Sequence, residues 1–156
     1  MAKQSVERVR AALSSAGIDV SITEFADSTR TAEDAAKAIG TSVGQIVKSL
    51  VFAAGDEPVL ALVCGTNRLD PHKLESLCGV AVKRADAQYV RDTTGYAIGG
   101  VPPIGHKTRM RTYVDRDLLQ YGTVWAAAGT PNSVFPIAPG ELVRITGATV
   151  ADIAED

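Results

Sequence analysis

Cysteine is scarce in this 156-residue chain, and the two present, Cys64 and Cys78, form no CxxC pair and no disulfide framework. With His72 and His106 they match no standard zinc-ligand spacing, and each falls where a small buried hydrophobe is ordinary, so no metal is expected. Long apolar runs are also missing. Nothing approaches the roughly 18 to 20 residues that span a bilayer, and the polar start MAKQSVERVR lacks the apolar core and cleavage site of a secretory leader. These absences predict a cytoplasmic protein with no membrane contact. There is no GxxxxGK[ST], and Gly95-Tyr96-Ala97-Ile98-Gly99-Gly100 lacks the GxGxxG spacing and runs into prolines rather than a helix. These spacings argue against a dinucleotide or ATP site, and no cofactor is expected. No G-x-S-x-G elbow or thiol-protease cysteine occurs, nor any repeat or low-complexity segment.

What is present is ordinary globular material: 46% hydrophobic and 22% charged residues, with a net charge of −2. The charge is uneven. Residues 68–116 carry nine Lys/Arg against five Asp/Glu, or +4, which leaves seven against thirteen, or −6, elsewhere. Such a region is either a solvated face of mixed charge or a compact contact for a polyanion.

Helical spacing of Val6, Val9 and Leu13 predicts a first helix that stops at Ser14–Gly17, and Ile18–Ile22 alternates like a half-buried strand. Thr31-Ala32-Glu33-Asp34 has the form of a capping box opening an Ala-rich helix to Gly40, and Ser42–Gln45 repeats the signal. Residues 50–54 and 59–64 read as a hairpin across Gly55–Pro58, the second strand apolar throughout and hence central. Asp70-Pro71 opens a helix that Gly79 ends. Further strands are predicted at 80–82, 96–98, 112–114 and 123–128, with short helices at 86–92, 115–120 and 140–146. The expected fold is one α+β domain, with a mixed, mainly antiparallel sheet flanked by short helices.

Three places carry candidate chemistry. Gly99-Gly100-Val101-Pro102-Pro103-Ile104-Gly105-His106 combines glycines that let another molecule approach with prolines that stiffen the loop. It is either a rigid structural turn or a scaffold aiming the N–H groups of Gly100 and Val101 at a carbonyl oxygen. Lys48 interrupts an apolar run on the side of Leu50 and Phe52, and either snorkels past the sheet edge or meets an anion. Ala127–Asn132 is either a tight turn or a strand end with small residues and short polar groups lining a site.

Taken in order, Thr29–Ala36, Gln45–Phe52, Gly99–His106 and Ala128-Gly129 resemble the YbaK/prolyl-tRNA-synthetase-associated editing domain family, over residues 1–156. The resemblance implies a mixed, partly barrel-like sheet and a free-standing aminoacyl-tRNA deacylase that hydrolyses mischarged tRNA in trans. It implies the acceptor end of aminoacyl-tRNA as partner, with prolyl-tRNA synthetase as a candidate second partner. Lys48 matches the family's essential lysine and Gly99-Gly100-Val101-Pro102-Pro103 its GxxxP loop. Gly100 donors and Lys48 are the expected catalytic groups; His106 is either a proton acceptor or a cap on the loop. Thr31, Gly99, Val101, Pro102, Pro103, Gly129 and Thr130 are the expected substrate-binding residues. A stiff, narrow pocket would favour Cys-, Ala- or Ser-type aminoacyl groups, with tRNA-Pro as the carrier. The competing reading is a non-catalytic module of the same fold that only captures aminoacyl-tRNA or a protein.

Overall fold

The computed structural model describes residues 2–26 and 31–156; Thr29 and Arg30 of the resemblance lie outside them. Helix α1 (Ala2–Ser15) is followed by the two-residue strand β1 (Thr23–Glu24), α2 (Ala32–Ile39) and a 3-10 turn (Val43–Gln45). Then come the hairpin strands β2 (Val47–Ala54) and β3 (Glu57–Cys64), α3 (Pro71–Cys78), β4 (Val82–Arg84) and α4 (Ala87–Thr94). Strand β5 (Arg111–Asp115) leads through a second 3-10 turn (Arg116–Gln120) to β6 (Val124–Ala127), β7 (Ser133–Ile137), α5 (Pro139–Thr146) and β8 (Thr149–Ala151). None of the described helices is long and apolar enough to cross a membrane.

The expected sheet is two sheets. One has the order β1-β7-β6, the other β4-β2-β3-β5-β8; four of the six strand pairs are antiparallel, and β3–β5 and β5–β8 are parallel. They meet at a single parallel bridge, Ile46 to Trp125, so the barrel-like arrangement stays open. Strand β3 is central, as its unbroken apolar run requires: Leu60 through Cys64 have no exposed surface. Its two faces serve two cores. Leu60, Leu62 and Cys64 pack with Val47 and Val51 of β2, Val9 and Leu13 of α1, and Phe135 of β7. Val59, Ala61 and Val63 pack with Phe52, Leu74 of α3 and Ile153.

Local signals fix the helix ends. Thr31 caps α2, its Oγ1 accepting the Asp34 N–H at 3.1 Å, and Gly40 ends it in the left-handed region. Asp70 and Asp86 cap α3 and α4 in the same way, accepting from the His72 and Tyr89 N–H groups.

Four sequence expectations need correction. Residues 18–22 form no strand; Ile18, Val20 and Ile22 do pack on the core, so the alternation reports burial without a ladder partner. Tyr96–Ile98 is a turn, because Tyr96 is a buried plug whose hydroxyl donates to the Gly105 carbonyl at 2.9 Å. The strand expected at 80–82 pairs as Val82–Arg84. Strands β7 and β8 were not anticipated: β7 contains Pro136, tolerated because β1 pairs only with Ser133 and Val134 and leaves that edge open beyond them.

Two glycines permit close packing around the start of β2, Gly65 against the Val43 backbone and Gly44 against Tyr121. A Cβ on Gly65 would lie 2.0 Å from the Val43 carbonyl oxygen, and one on Gly44 would lie 1.9 Å from the Tyr121 hydroxyl oxygen. The first obstacle is backbone and cannot swing aside. Gly65→Ala should therefore destabilise the fold by about 2 to 3 kcal/mol, and a thermal melt should show a midpoint lower by roughly 4 to 10 °C.

Candidate functional site

A cavity of about 440 Å3 opens where the two sheets diverge. Strand β2 forms one wall with Val47, Lys48, Ser49 and Leu50; Trp125 and Ala127 of β6, with Ser133 and Val134 of β7, form another. The N-terminus of α2 contributes Thr31, Glu33 and Ala35, and the Gly-Pro loop contributes Ile98, Gly99 and Val101. Thr130 and Arg84 complete the lining that bears on the chemistry.

The backbone of β2 is exposed to this cavity for a simple reason. The Ala85 N–H donates to the Val51 carbonyl at 3.0 Å, so the polar groups of Val51 face away from β3. Strand period two then turns those of Val47 and Ser49 the same way. On that side β4 pairs only with residues 52–54, and β6 forms a ladder bridge only at Ile46. Between them lies an open edge.

Lys48 is half-buried, and its Nζ donates to the backbone carbonyl of Asn67. That carbonyl is held in place: the Asn67 amide donates to Asp115 Oδ2 at 2.9 Å and Asp117 Oδ2 at 2.7 Å. Asp115 is itself buried, with the Cys64 and Asp117 N–H groups both at 3.0 Å. None of the ion pairs among the described residues includes Lys48, so its charge is oriented by a dipole and left un-neutralised. Arg84 adds a second cation, with Glu33 the one described carboxylate on the lining.

The loop is braced from behind. Gly99 requires its glycine, with φ +90°. Gly100 has an ordinary φ, but a Cβ there would come within 2.7 Å of the Thr130 backbone. The loop and the Gly129-Thr130 strand end, separate in sequence, are thus in direct backbone contact. The N–H of Gly100 donates to the Ala97 carbonyl at 3.0 Å, so it is not the free donor expected from the sequence. Thr130 Oγ1 is bonded to Asn132 Oδ1 at 2.9 Å and Ser133 Oγ at 2.7 Å, which holds that end rigid.

His106 Nε2 donates to the Pro102 carbonyl at 2.5 Å, and its ring meets Tyr96 edge-on at 6.5 Å. Arg8 lies 4.6 Å over the Tyr96 ring and donates to the Gly95 carbonyl at 2.9 Å. Of the sequence candidates, the cavity brings together Lys48, Thr31, Gly99, Val101 and Thr130. Gly100, Pro102, Pro103, His106 and Gly129 are not part of its lining. Sequence reasoning missed Ser49, Arg84, Ile98 and Trp125; the chain's single tryptophan, set in a strand of small residues, was the one available signal.

This is a cleft protein, in which a cation and a rigid loop face each other across a small cavity. The chain belongs to the aminoacyl-tRNA editing domain family, whose model matches residues 26–145. Among similar proteins, "Uncharacterized protein YwhH" of Bacillus subtilis (strain 168) is 34% identical over 137 residues, 86% of this chain and 87% of that protein. The Enterococcus faecalis (strain ATCC 700802 / V583) protein named "Putative Cys-tRNA(Pro)/Cys-tRNA(Cys) deacylase EbsC" is 32% identical, over 78% of this chain and 76% of its own length. A crystal structure described as that of "a putative trans-editing enzyme for prolyl tRNA synthetase" superposes with a TM-score of 0.94 at 50% identity, covering 97% of this chain and 98% of that one. Proline–tRNA ligase of Maridesulfovibrio salexigens matches over 62% of this chain but only 17% of the ligase, at 35% identity.

Burial pushes the His106 pKa below its ordinary 6.5, outweighing the bond to the Pro102 carbonyl that favours the charged ring. The unfolded chain then binds a proton at His106 before the folded one does. Stability should fall as pH drops below about 6.5, by at most about 1.4 kcal/mol per pH unit from this group. Urea midpoints measured from pH 7.5 to 5 should decline less steeply for His106→Asn, which keeps a donor but does not titrate.

Proposed function

We propose that the chain is a trans-acting aminoacyl-tRNA deacylase that removes a small aminoacyl group, of Cys, Ala or Ser type, from mischarged tRNA-Pro. The observation that carries this reading is the meeting, in one cavity of about 440 Å3, of Lys48, Val101, Thr31 and Thr130 from four separate segments. Water adds to the ester carbonyl, the ester C–O bond breaks, and the products are the free amino acid and the terminal ribose hydroxyl. An aminoacyl ester is already activated, so the protein's part is positioning and stabilisation of the developing oxyanion.

Lys48 is assigned to the anionic end of the tRNA, as an ammonium aimed by the Asn67 carbonyl and neutralised by no described carboxylate. The oxyanion donor passes from Gly100 to Val101, whose N–H has no acceptor among the described residues. His106 is a positioning residue, fastening the loop through Pro102 rather than touching substrate. The substrate's neighbouring ribose hydroxyl is the assigned helper of the water. Among the described residues no three His, Cys, Asp or Glu side chains converge on a metal site.

The likeness to a structure described as trans-editing for prolyl tRNA synthetase supports tRNA-Pro as carrier and that synthetase as a partner. The small, braced loop wall supports a small aminoacyl group. The translation-linked family supports a cytoplasmic setting. The competing reading, a module that captures charged tRNA without hydrolysing it, is separated by one variant. Lys48→Ala should fold normally and lower deacylation of charged tRNA-Pro at least tenfold, equal to about 1.4 kcal/mol of transition-state stabilisation. Lys48→Arg should recover only part of that loss. Full activity in folded Lys48→Ala would overturn the assignment, and parent protein that binds charged tRNA without turnover would favour the module.

A further inference from the structure

Ser49 presents an anomaly that the preceding reading leaves unused. Its Oγ is shut off from solvent and has no hydrogen-bond partner among the described residues. Buried hydroxyls are nearly always paired, because an unmatched one forfeits its bond to water and gains nothing. Ser49 also lies on the cavity wall, at the middle of the open edge of β2. The strand register turns its backbone N–H and C=O toward the gap between β4 and β6. One residue therefore combines an unpaired, buried hydroxyl with a place on the cavity wall.

The surroundings say which part of a ligand belongs there. Val101, Ala127 and Val134 make the adjoining lining apolar and small, which suits a short side chain. The cation for the polyanionic end is the neighbouring residue, Lys48, so Ser49 lies one residue along the strand from the tRNA-facing group. An edge N–H and C=O without a ladder partner complement a carbonyl oxygen and an ammonium, as an edge strand does when it receives an added chain. That leaves Oγ for the side chain.

We infer that Ser49 is the subsite that reads the aminoacyl side chain, and that it selects groups bearing a hydroxyl or thiol over alanine. The inference rests on the editing reading and narrows its substrate class. A pocket that relies on size distinguishes such near-isosteres weakly, whereas a buried group left unpaired by the wrong ligand discriminates strongly.

The test has a binding arm and a hydrolysis arm, with the parent and Ser49→Ala in each. Binding is measured by titration with non-hydrolysable adenosine analogues carrying seryl or alanyl groups in 3′-amide linkage. Hydrolysis is measured as kcat/KM on Ser-tRNA-Pro and Ala-tRNA-Pro. The parent should favour the seryl member by at least about tenfold in both arms, and Ser49→Ala should lose most of that preference. Its melting temperature should not fall, because the change removes a hydroxyl that bonds to nothing. Equal losses on both substrates, an undiminished preference or a lowered melting temperature would overturn the assignment. If neither protein hydrolyses either ester while the parent's binding preference holds and Ser49→Ala loses it, the deacylase reading falls and the Ser49 subsite stands. If both esters are cleaved with no preference, the reverse holds.

Discussion

The register of β2 against β3 is the constraint on which the site depends. Pairing Val47 with Cys64 through Ala54 with Glu57 sets which β2 side chains enter which core and which backbone groups face outward. A shift of one residue would exchange Val47 and Val51 for Lys48 and Leu50 across the sheet, burying a charge in one core and emptying the other. The hydrophobic cost of that exchange is what holds Lys48 in place. The same register leaves the 47–50 edge without a strand partner, since β6 and β4 take opposite ends of β2. The cavity is the gap left where the two sheets meet at one bridge and then part.

Rigidity on the facing wall has a different origin. Gly100 packs so closely on the Thr130 backbone that no side chain fits between them, and each segment is tied down separately. Thr130 is held by Asn132 and Ser133; the loop is held by His106 on Pro102, Tyr96 on Gly105 and Arg8 over Tyr96. Helix α1 braces the site through Arg8 over Tyr96 and through the close approach of Ser5 and Val9 to Gly129. Two prolines alone would stiffen the loop without fixing its position. The buried bonds behind it supply the position, which is why a histidine near the loop in sequence is a brace in space.

Much of this was legible in the sequence where a local rule acts alone. Thr31, Asp70 and Asp86 cap their helices, Gly40 and Gly79 end theirs, and the unbroken run 59–64 is the central strand. Expectations failed where tertiary packing overrode a local pattern. Tyr96 looked like strand because it is apolar and aromatic, yet it fills a core. Residues 18–22 alternate because they lie against the core without a ladder. The motif residues Lys48, Val101, Thr31 and Thr130 reach one cavity, but the donor expected of Gly100 is spent on Ala97, which only the turn geometry reveals. Ser49 and Arg84 carry no sequence signal of their own; their role comes from where the two sheets part.

Charge and selectivity follow from the same local design. The chain is acidic overall, at −2, yet Lys48 and Arg84 face the cavity against Glu33. At physiological salt the Debye length is about 8 Å, so a ligand's terminal phosphate and ribose sense those two cations far more than the distant acidic surface. A compact contact with a nucleic-acid end is then compatible with an acidic protein. Electrostatics of that kind draw in every charged tRNA end alike and cannot tell one aminoacyl group from another. The braced loop can exclude what is too large, but a rigid wall that admits serine also admits alanine, and one missing methylene alters binding by only about 1 to 3 kcal/mol. Discrimination among the small groups must come from a polar atom already stripped of water, and among the described residues the one unpaired side-chain atom of that kind is the Ser49 hydroxyl.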